Sequence, residues 1–231
     1  MELNFKKTLT TLGPSLWGGI GTVLYITLAG FVFALVVALA VAIGRLSKNK
    51  TLSRFLVIVI ELVRGTPLLV QLFYIYYVVP TLLNGILSAL GFQTNIQIKA
   101  STCGIIGFAI NYGCYMSEVI RSAILAVDPG QREAGLALGF SERKTLFHFI
   151  IPPALRNSVP VFGNYLVMLI KDTSLLAMIS VQELLLRTKT FASQTFLTVE
   201  AYTLLAAVYL MLSIPLSQLS RIVERKLKRN L

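Results

Sequence analysis

Charge is scarce in this 231-residue sequence: Asp, Glu, Lys and Arg make up 13% of it, against 55% hydrophobic residues. With a mean hydropathy of +0.75, the chain holds more apolar surface than a soluble core of this size needs, and a polytopic membrane protein is expected. Histidine occurs once, at His148, and no His-Glu metal motif exists, so no metal site is expected. No Gly-Lys pair occurs, which excludes the phosphate-binding loop of an ATPase. The carboxylates inside apolar runs have a basic residue nearby rather than a second carboxylate, so neither catalysis nor a cofactor is expected in this chain. Cysteine occurs twice. Cys103 and Cys114 fall in one apolar run, about 16 Å apart along a helix. That is too far for a disulfide, and they read as small core residues.

What charge there is has a pattern. The formal net charge is +11, yet the basic residues cluster at the ends of apolar runs and no basic patch is interleaved with aromatics. That argues against nucleic acid and for the positive-inside rule of membrane proteins. Thr8 to Gly44 contains no charge over 37 residues. A signal peptide has an apolar stretch of only about 7–15 residues, so a permanent helix is expected at about 17–43, with Phe5–Ser15 as an interfacial segment. Arg45, Lys48, Lys50 and Arg54 follow and place the first loop in the cytoplasm.

A second apolar run, Phe55 to about Pro80, carries Glu61 and Arg64 three residues apart, on one helical face. Either the pair is a fixed polar contact near the cytoplasm, or Gly65-Thr66-Pro67 loosens the helix and the pair moves during gating. Leu82, Leu83, Ile86, Leu87 and Leu90 predict a small helix on the outer surface. Ala100–Ile120 spans again and ends on Glu118 and Arg121, a second pair at the same spacing. Asn111, Tyr112 and Tyr115, deeper in that run, either line a polar pathway or make interhelical hydrogen bonds.

From Asn157 to Ile170 a helix covers only about 21 Å, too little to cross. The fourth membrane element therefore runs past Lys171-Asp172-Thr173-Ser174 or breaks there. A break would put a charge pair, two hydroxyls and free backbone groups at membrane depth, as in transporter substrate sites; the alternative is an outer helix end with Lys171 snorkelling. Gln182–Glu200 reads as an outer polar segment and Ala201–Ser220 as the last span, with a basic tail from Arg221 through Arg229 inside. The three segments read as cytoplasmic hold 14 of the 21 Lys and Arg residues. The expected architecture is all-α, one membrane domain over 1–231 with about five transmembrane helices, N-terminus outside and C-terminus cytoplasmic.

The longest polar interruption, 128–153, is built like a knob. Asp128 precedes Pro129 as a helix cap, and Gln131 completes a capping box. Gly139 ends that helix in a left-handed turn, Ser141 caps a second helix running to Ile150, and Pro152 and Pro153 stop it.

Glu133-Ala134-Gly135, three residues, Gly139, nine residues, Phe149, then Ile151-Pro152 resembles the EAA loop of ABC-importer permeases, E-A-A-x3-G-x9-I-x-L-P. Gly135, Phe149 and Ile151 depart from it, small for small and apolar for apolar. Arg64-Gly65-Thr66-Pro67-Leu68-Leu69-Val70-Gln71 and Lys171-Asp172-Thr173-Ser174-Leu175 narrow the likeness to permeases for polar amino acids of the histidine, glutamine, arginine and cystine type. The resemblance covers about 17–220. It implies the type I ABC importer permease fold in a bacterial cytoplasmic membrane, and a pathway shared with a second permease copy or paralogue. It implies an extracytoplasmic binding protein and two ATPase subunits that hold ATP and Mg. Asp128, Pro129, Gln131, Glu133, Ala134, Gly135, Gly139 and Pro152 would form the ATPase-coupling loop. Asn111, Tyr115, Asn164, Lys171, Asp172, Thr173 and Ser174 are the candidate substrate pathway, and Glu61, Arg64, Glu118 and Arg121 are polar pairs with a structural or a gating role. The rival expectation is an ion-coupled secondary amino-acid transporter working through Glu61, Glu118 or Asp172.

Overall fold

The computed structural model describes residues 4–228, in which every regular element is helical; Arg229, counted in the basic tail, lies outside the described residues. Among the described residues, five helices are long and apolar enough to cross a membrane: α1 (Phe5–Arg45), α3 (Leu68–Ala89), α4 (Ala100–Leu125), α6 (Glu142–Ile179) and α8 (Thr198–Lys228). Between them lie α2 (Lys50–Arg64), α5 (Pro129–Ala137) and α7 (Leu184–Thr195).

The first helix is a single rod, so the separate interfacial segment at Phe5–Ser15 is not observed. Pro14 lies inside it. Proline removes one backbone donor, here the partner of the Thr10 carbonyl, at an exposed turn where the loss is cheap. At 41 residues the rod is about 60 Å long, twice the hydrocarbon thickness.

The second span sits later than the apolar run suggests. The stretch from Phe55 to Pro80 is divided at Gly65-Thr66-Pro67. Before the break, α2 is amphipathic, with only Ile60 buried, and at 15 residues it is too short to cross. After it, α3 takes in the positions expected to form a separate surface helix. Pro67, at φ −61° and ψ 139°, holds the extended conformation from which α3 starts. Similarly, Gln182–Glu200 is not merely a polar loop. It contains α7, which Glu183 caps by accepting from the amides of Leu185 (2.8 Å) and Leu186 (2.7 Å).

Nor do Pro152 and Pro153 stop a helix. The Ile151 amide reaches back to Leu146, a π turn over Leu146–Ile150, and the helix goes on through both prolines to Asp172. In a tight α turn those rings would crowd the carbonyls four residues earlier, and a widened turn relieves this. At Thr173 the helix narrows to a 3₁₀ segment ending at Ile179. The anticipated change at Lys171–Ser174 is therefore a change of helix type, not a gap.

The core is centred on the seam between α1 and α4, the most extensive contact in the chain. Ala34, Ala38 and Ala42 recur every fourth residue on α1 and are fully buried. Gly30 lies against Phe108, and Gly113 against Val37 and the Ala34 carbonyl. Lipid offers no hydrophobic drive between helices, so close approach of small residues supplies the dispersion contacts instead. Cys103 and Cys114 are buried free thiols. A Cβ at Gly113 would come within 2.6 Å of Val37 Cγ1. Gly113→Leu is therefore expected to destabilise the bundle by about 1–3 kcal/mol through overpacking, seen as a lower unfolding midpoint of the detergent-purified protein.

Candidate translocation cavity and docking loop

The break before α3 would strand backbone carbonyls at membrane depth unless they found donors. Gln71 supplies them: its side-chain amide donates to the Val63 carbonyl (2.6 Å) and the Thr66 carbonyl (3.0 Å), and its oxygen accepts from Asn111 Nδ2 (3.1 Å). Asn111 is thus tied to the break rather than free. Next to it opens a cavity of about 440 Å³ between the 64–68 segment, α4 and α6.

Arg64 and Asp172 bring opposite charges to that cavity, with Tyr112, Tyr115 and Tyr165 between them. The Arg64 guanidinium lies 5.1 Å from the centre of the Tyr115 ring, a cation–π contact. Tyr112 donates to Asp172 Oδ2 at 2.6 Å and meets Tyr165 edge-on at 6.0 Å. Arg64 and the 65–67 turn are exposed on the isolated chain. A charge at that depth must face water or protein, so this side of the molecule is turned away from lipid.

Of the residues selected from sequence, Asn111, Tyr115 and Asp172 line the cavity. Asn164 and Lys171 are exposed and do not, Ser174 is half-buried elsewhere, and Thr173 is buried with its hydroxyl donating to the Ile170 carbonyl at 2.7 Å. Asn164 and Lys171 share a face of α6, but it is the face beside the one that carries Tyr165, Met168 and Asp172. The spacing of these last three, i, i+3 and i+7, was the available signal. Tyr112, read from sequence together with Asn111 and Tyr115, also lines the cavity. Arg64 and Tyr165 were missed as lining residues, and Gln71 was missed as the side chain that holds the turn beside the cavity.

The gating pairs change partners. Arg64 goes to Tyr115, and no Glu61–Arg64 ion pair forms among the described residues. Glu118 is shared between Arg45 of α1, in close contact, and Arg121 at 4.0 Å. Helical spacing correctly put Glu118 and Arg121 on one face, but the shorter bond is tertiary.

The knob at 128–153 has the expected glycine corner. Asp128 Oδ1 accepts from the Gly130 amide at 2.7 Å, and Pro129 starts α5. The capping box is not formed, because the Gln131 amide donates to the Asp128 backbone carbonyl at 3.0 Å instead. Gly139 has φ +83°, a conformation a β-carbon would strain, and the Phe140 amide reaches back to the Gly135 carbonyl at 3.1 Å. Ser141 Oγ accepts from the Lys144 amide at 3.4 Å. Glu142 takes both Lys48 (2.9 Å) and Arg132 (3.0 Å), tying the first polar loop to the knob. Gln131, Glu133, Ala134, Gly139 and Pro152 are exposed, and so are the apolar side chains of Leu136, Leu138 and Phe140, with Leu138 at 73%. These three were not selected from the sequence, although apolar residues beside a glycine corner in a polar loop are a signal for docking.

The family described as the binding-protein-dependent transport system inner membrane component matches residues 30–229. The chain belongs to this family. The permease is 36% identical over 217 residues to the L-cystine transport system permease protein TcyB of Bacillus subtilis, covering 94% of this chain and 88% of that one. To the glutamine transport system permease protein GlnP of Escherichia coli it is 34% identical over 215 residues, 93% and 94% of the two chains. The crystal structure of an amino acid ABC transporter with histidines matches it with a TM-score of 0.82 at 31% identity, over 98% of this chain and 100% of that one. An inward-facing structure of the MetNI methionine ABC transporter, at 16% identity and a TM-score of 0.66 over 90% of this chain and 96% of that one, shares the fold. The permease is thus a multi-pass membrane protein of the ABC importer type, and none of these relatives favours ion coupling.

The knob also explains one departure from the EAA pattern. Gly135 is buried, and a Cβ there would lie 2.6 Å from Thr145 Cγ2. The volume of the usual alanine methyl is occupied by Thr145. Gly135→Ala should therefore destabilise the knob of the permease by about 1–3 kcal/mol. Adding Thr145→Ala should recover most of the loss, a coupling that a double-mutant cycle on protease resistance of the loop would read directly.

Proposed function

We propose that this chain is the membrane-spanning subunit of an ATP-driven importer for polar amino acids in the bacterial cytoplasmic membrane, and that its cavity holds the amino acid's two charged ends. The observation that carries the reading is the pairing of Arg64 and Asp172 across one tyrosine-lined cavity. Arg64 suits the α-carboxylate, as a rigid fork of donors, and Asp172 suits the α-ammonium. Lys171, the cation expected from sequence, is exposed and outside the cavity. Tyr112 orients the Asp172 carboxylate, and Asn111, through Gln71, keeps the 65–67 turn in place.

Because Arg64 and the turn are exposed on one chain, a second permease copy or paralogue would close the path. ATP hydrolysis would belong to two separate ATPase subunits, whose grooves receive α5 with Leu136, Leu138 and Phe140 as apolar anchors and Glu133 as a charged contact. The substrate would arrive on an extracytoplasmic binding protein. In this reading the permease contributes no catalytic group, and ATP and Mg are held by the partner.

The test has two parts. Co-purification with the candidate ATPase should be lost in Leu138→Asp while membrane insertion is unchanged; equal retention would remove the docking role. Uptake in proteoliposomes carrying the full complex should fall at least tenfold with Asp172→Asn or Arg64→Gln, since each removes a charge-assisted bond worth about 1.5–3 kcal/mol. ATPase binding should persist. Unaltered uptake kinetics in both variants would overturn the substrate site without touching the docking result.

A further inference from the structure

On the face of α6 away from the cavity lies a cleft of about 300 Å³ between α1, α6 and α8. Phe31 and Leu35 line it from α1, Val159 and Leu166 from α6, and Leu216 and Val223 from α8. At its base α6 and α8 cross so closely that a Cβ on Gly163 would run into Ser220, whose hydroxyl is the one polar side-chain group in the lining. A cleft of this composition inside three membrane-spanning helices takes nothing polar. It is also built, not incidental, because the close crossing at Gly163 forms its floor.

Consecutive spans alternate in direction, so the first turns of α6 and the last turns of α8 meet at one end of the cleft. That end is basic. Lys226 follows Val223 by three residues and Arg156 precedes Val159 by three, one helical turn beyond the lining on each wall. Lys226 is exposed; Arg221 and Arg225, also exposed, sit on the far face of the same turns and add to the charge of that end, where Glu224 is the single acid. Apolar walls that lead to a cationic rim at the headgroup level have the chemistry of an anionic phospholipid: an acyl chain in the cleft and the phosphate on the basic turn.

We propose that this cleft is a binding site for one anionic phospholipid, which fills the groove between α1, α6 and α8 and fixes α8 through its headgroup. The site is separate from the cavity, and it stands whatever solute the cavity carries. A second copy of the chain is the competing occupant. The charged rim disfavours it, since two such rims brought together would repel.

The test is native mass spectrometry of the purified full chain. It is given equal amounts of phosphatidylglycerol and phosphatidylcholine with the same acyl chains, and retained lipid and oligomeric state are read from the same spectra. The wild type should keep one phosphatidylglycerol in preference to phosphatidylcholine. Val223→Trp, which fills the cleft, should lose it. Lys226→Gln should keep an acyl chain but reduce the phosphatidylglycerol preference about fivefold, the effect of one basic residue near the surface. Equal retention of the two lipids by the wild type would overturn the proposal, as would undiminished phosphatidylglycerol on Val223→Trp. Loss of a permease dimer in Val223→Trp would assign the cleft to a second copy instead. If Val223→Trp does not insert, Lys226→Gln decides alone, because that side chain is exposed and outside the core.

Discussion

The Gln71 side chain closes the carbonyls of Val63 and Thr66, and much of the molecule follows from the need it meets. Inside a bilayer a backbone group without a partner costs several kcal/mol, so a helix can be interrupted only where a side chain supplies the missing bond. That restricts the break to a place where Gln71 can reach back across Pro67, and Asn111 must then occupy the other end of Gln71. The cavity exists because the turn is held open there. The same requirement shapes the turn between α6 and α7. Glu183 is fully buried, and its carboxylate takes two α7 amides and the Tyr209 hydroxyl at 3.1 Å. Burial pushes its carboxyl up from the usual range, while the bonds from the Leu185 and Leu186 amides and from Tyr209 pull the other way.

Spans were the most legible part of the sequence, since their signal is only length and apolarity. The third and fifth, at Ala100–Leu125 and Thr198–Lys228, hardly moved from expectation. The second was displaced because hydropathy does not distinguish an amphipathic helix ending at Arg64 from the start of a span. Gly65-Thr66-Pro67 was visible as a weak point. That it is the boundary between two helices depends on Gln71, a tertiary fact. The prolines misled for a related reason: Pro152 and Pro153 would end an ordinary helix, but the π turn at Leu146–Ile150 absorbs them, and no local pattern announces a π turn.

Site residues divided along the same line. The knob's corner was readable because Asp-Pro, Gly139 and Ser141 act on their own neighbours. The cavity was half-readable: residues on α4 were chosen correctly, while on α6 the selection of Asn164 and Lys171 took the neighbouring face. Chemical type alone, a lysine beside an aspartate, proved a poorer guide than helical phase. Arg64 was assigned to Glu61 because three-residue spacing makes the pair possible, yet the tyrosine across the helix boundary takes the guanidinium.

Phase also matters for how the two sites communicate in the proposed importer. Thr145, against Gly135 in the knob, and Asp172, in the cavity, lie on one continuous helix. Their separation of 27 residues corresponds to about 40 Å at ~1.5 Å per residue. A rod of that length transmits a displacement of the docked knob without a chain of side-chain rearrangements, and its soft points are few. The π turn lies at the knob end, Pro160 lies partway along, and the change to a 3₁₀ segment begins immediately after Asp172. Helix-type changes of this kind commonly mark hinges. Between the terminal two, Pro160 is the one proline that the π turn does not absorb. In the proposed importer, motion entering at Thr145 would therefore reach Asp172 as a shift of the carboxylate relative to Arg64, which stands on a different element across the 65–67 turn. A transport cycle needs that change of spacing between the two charges, because a site that held both ends of an amino acid equally well in every state would not release it.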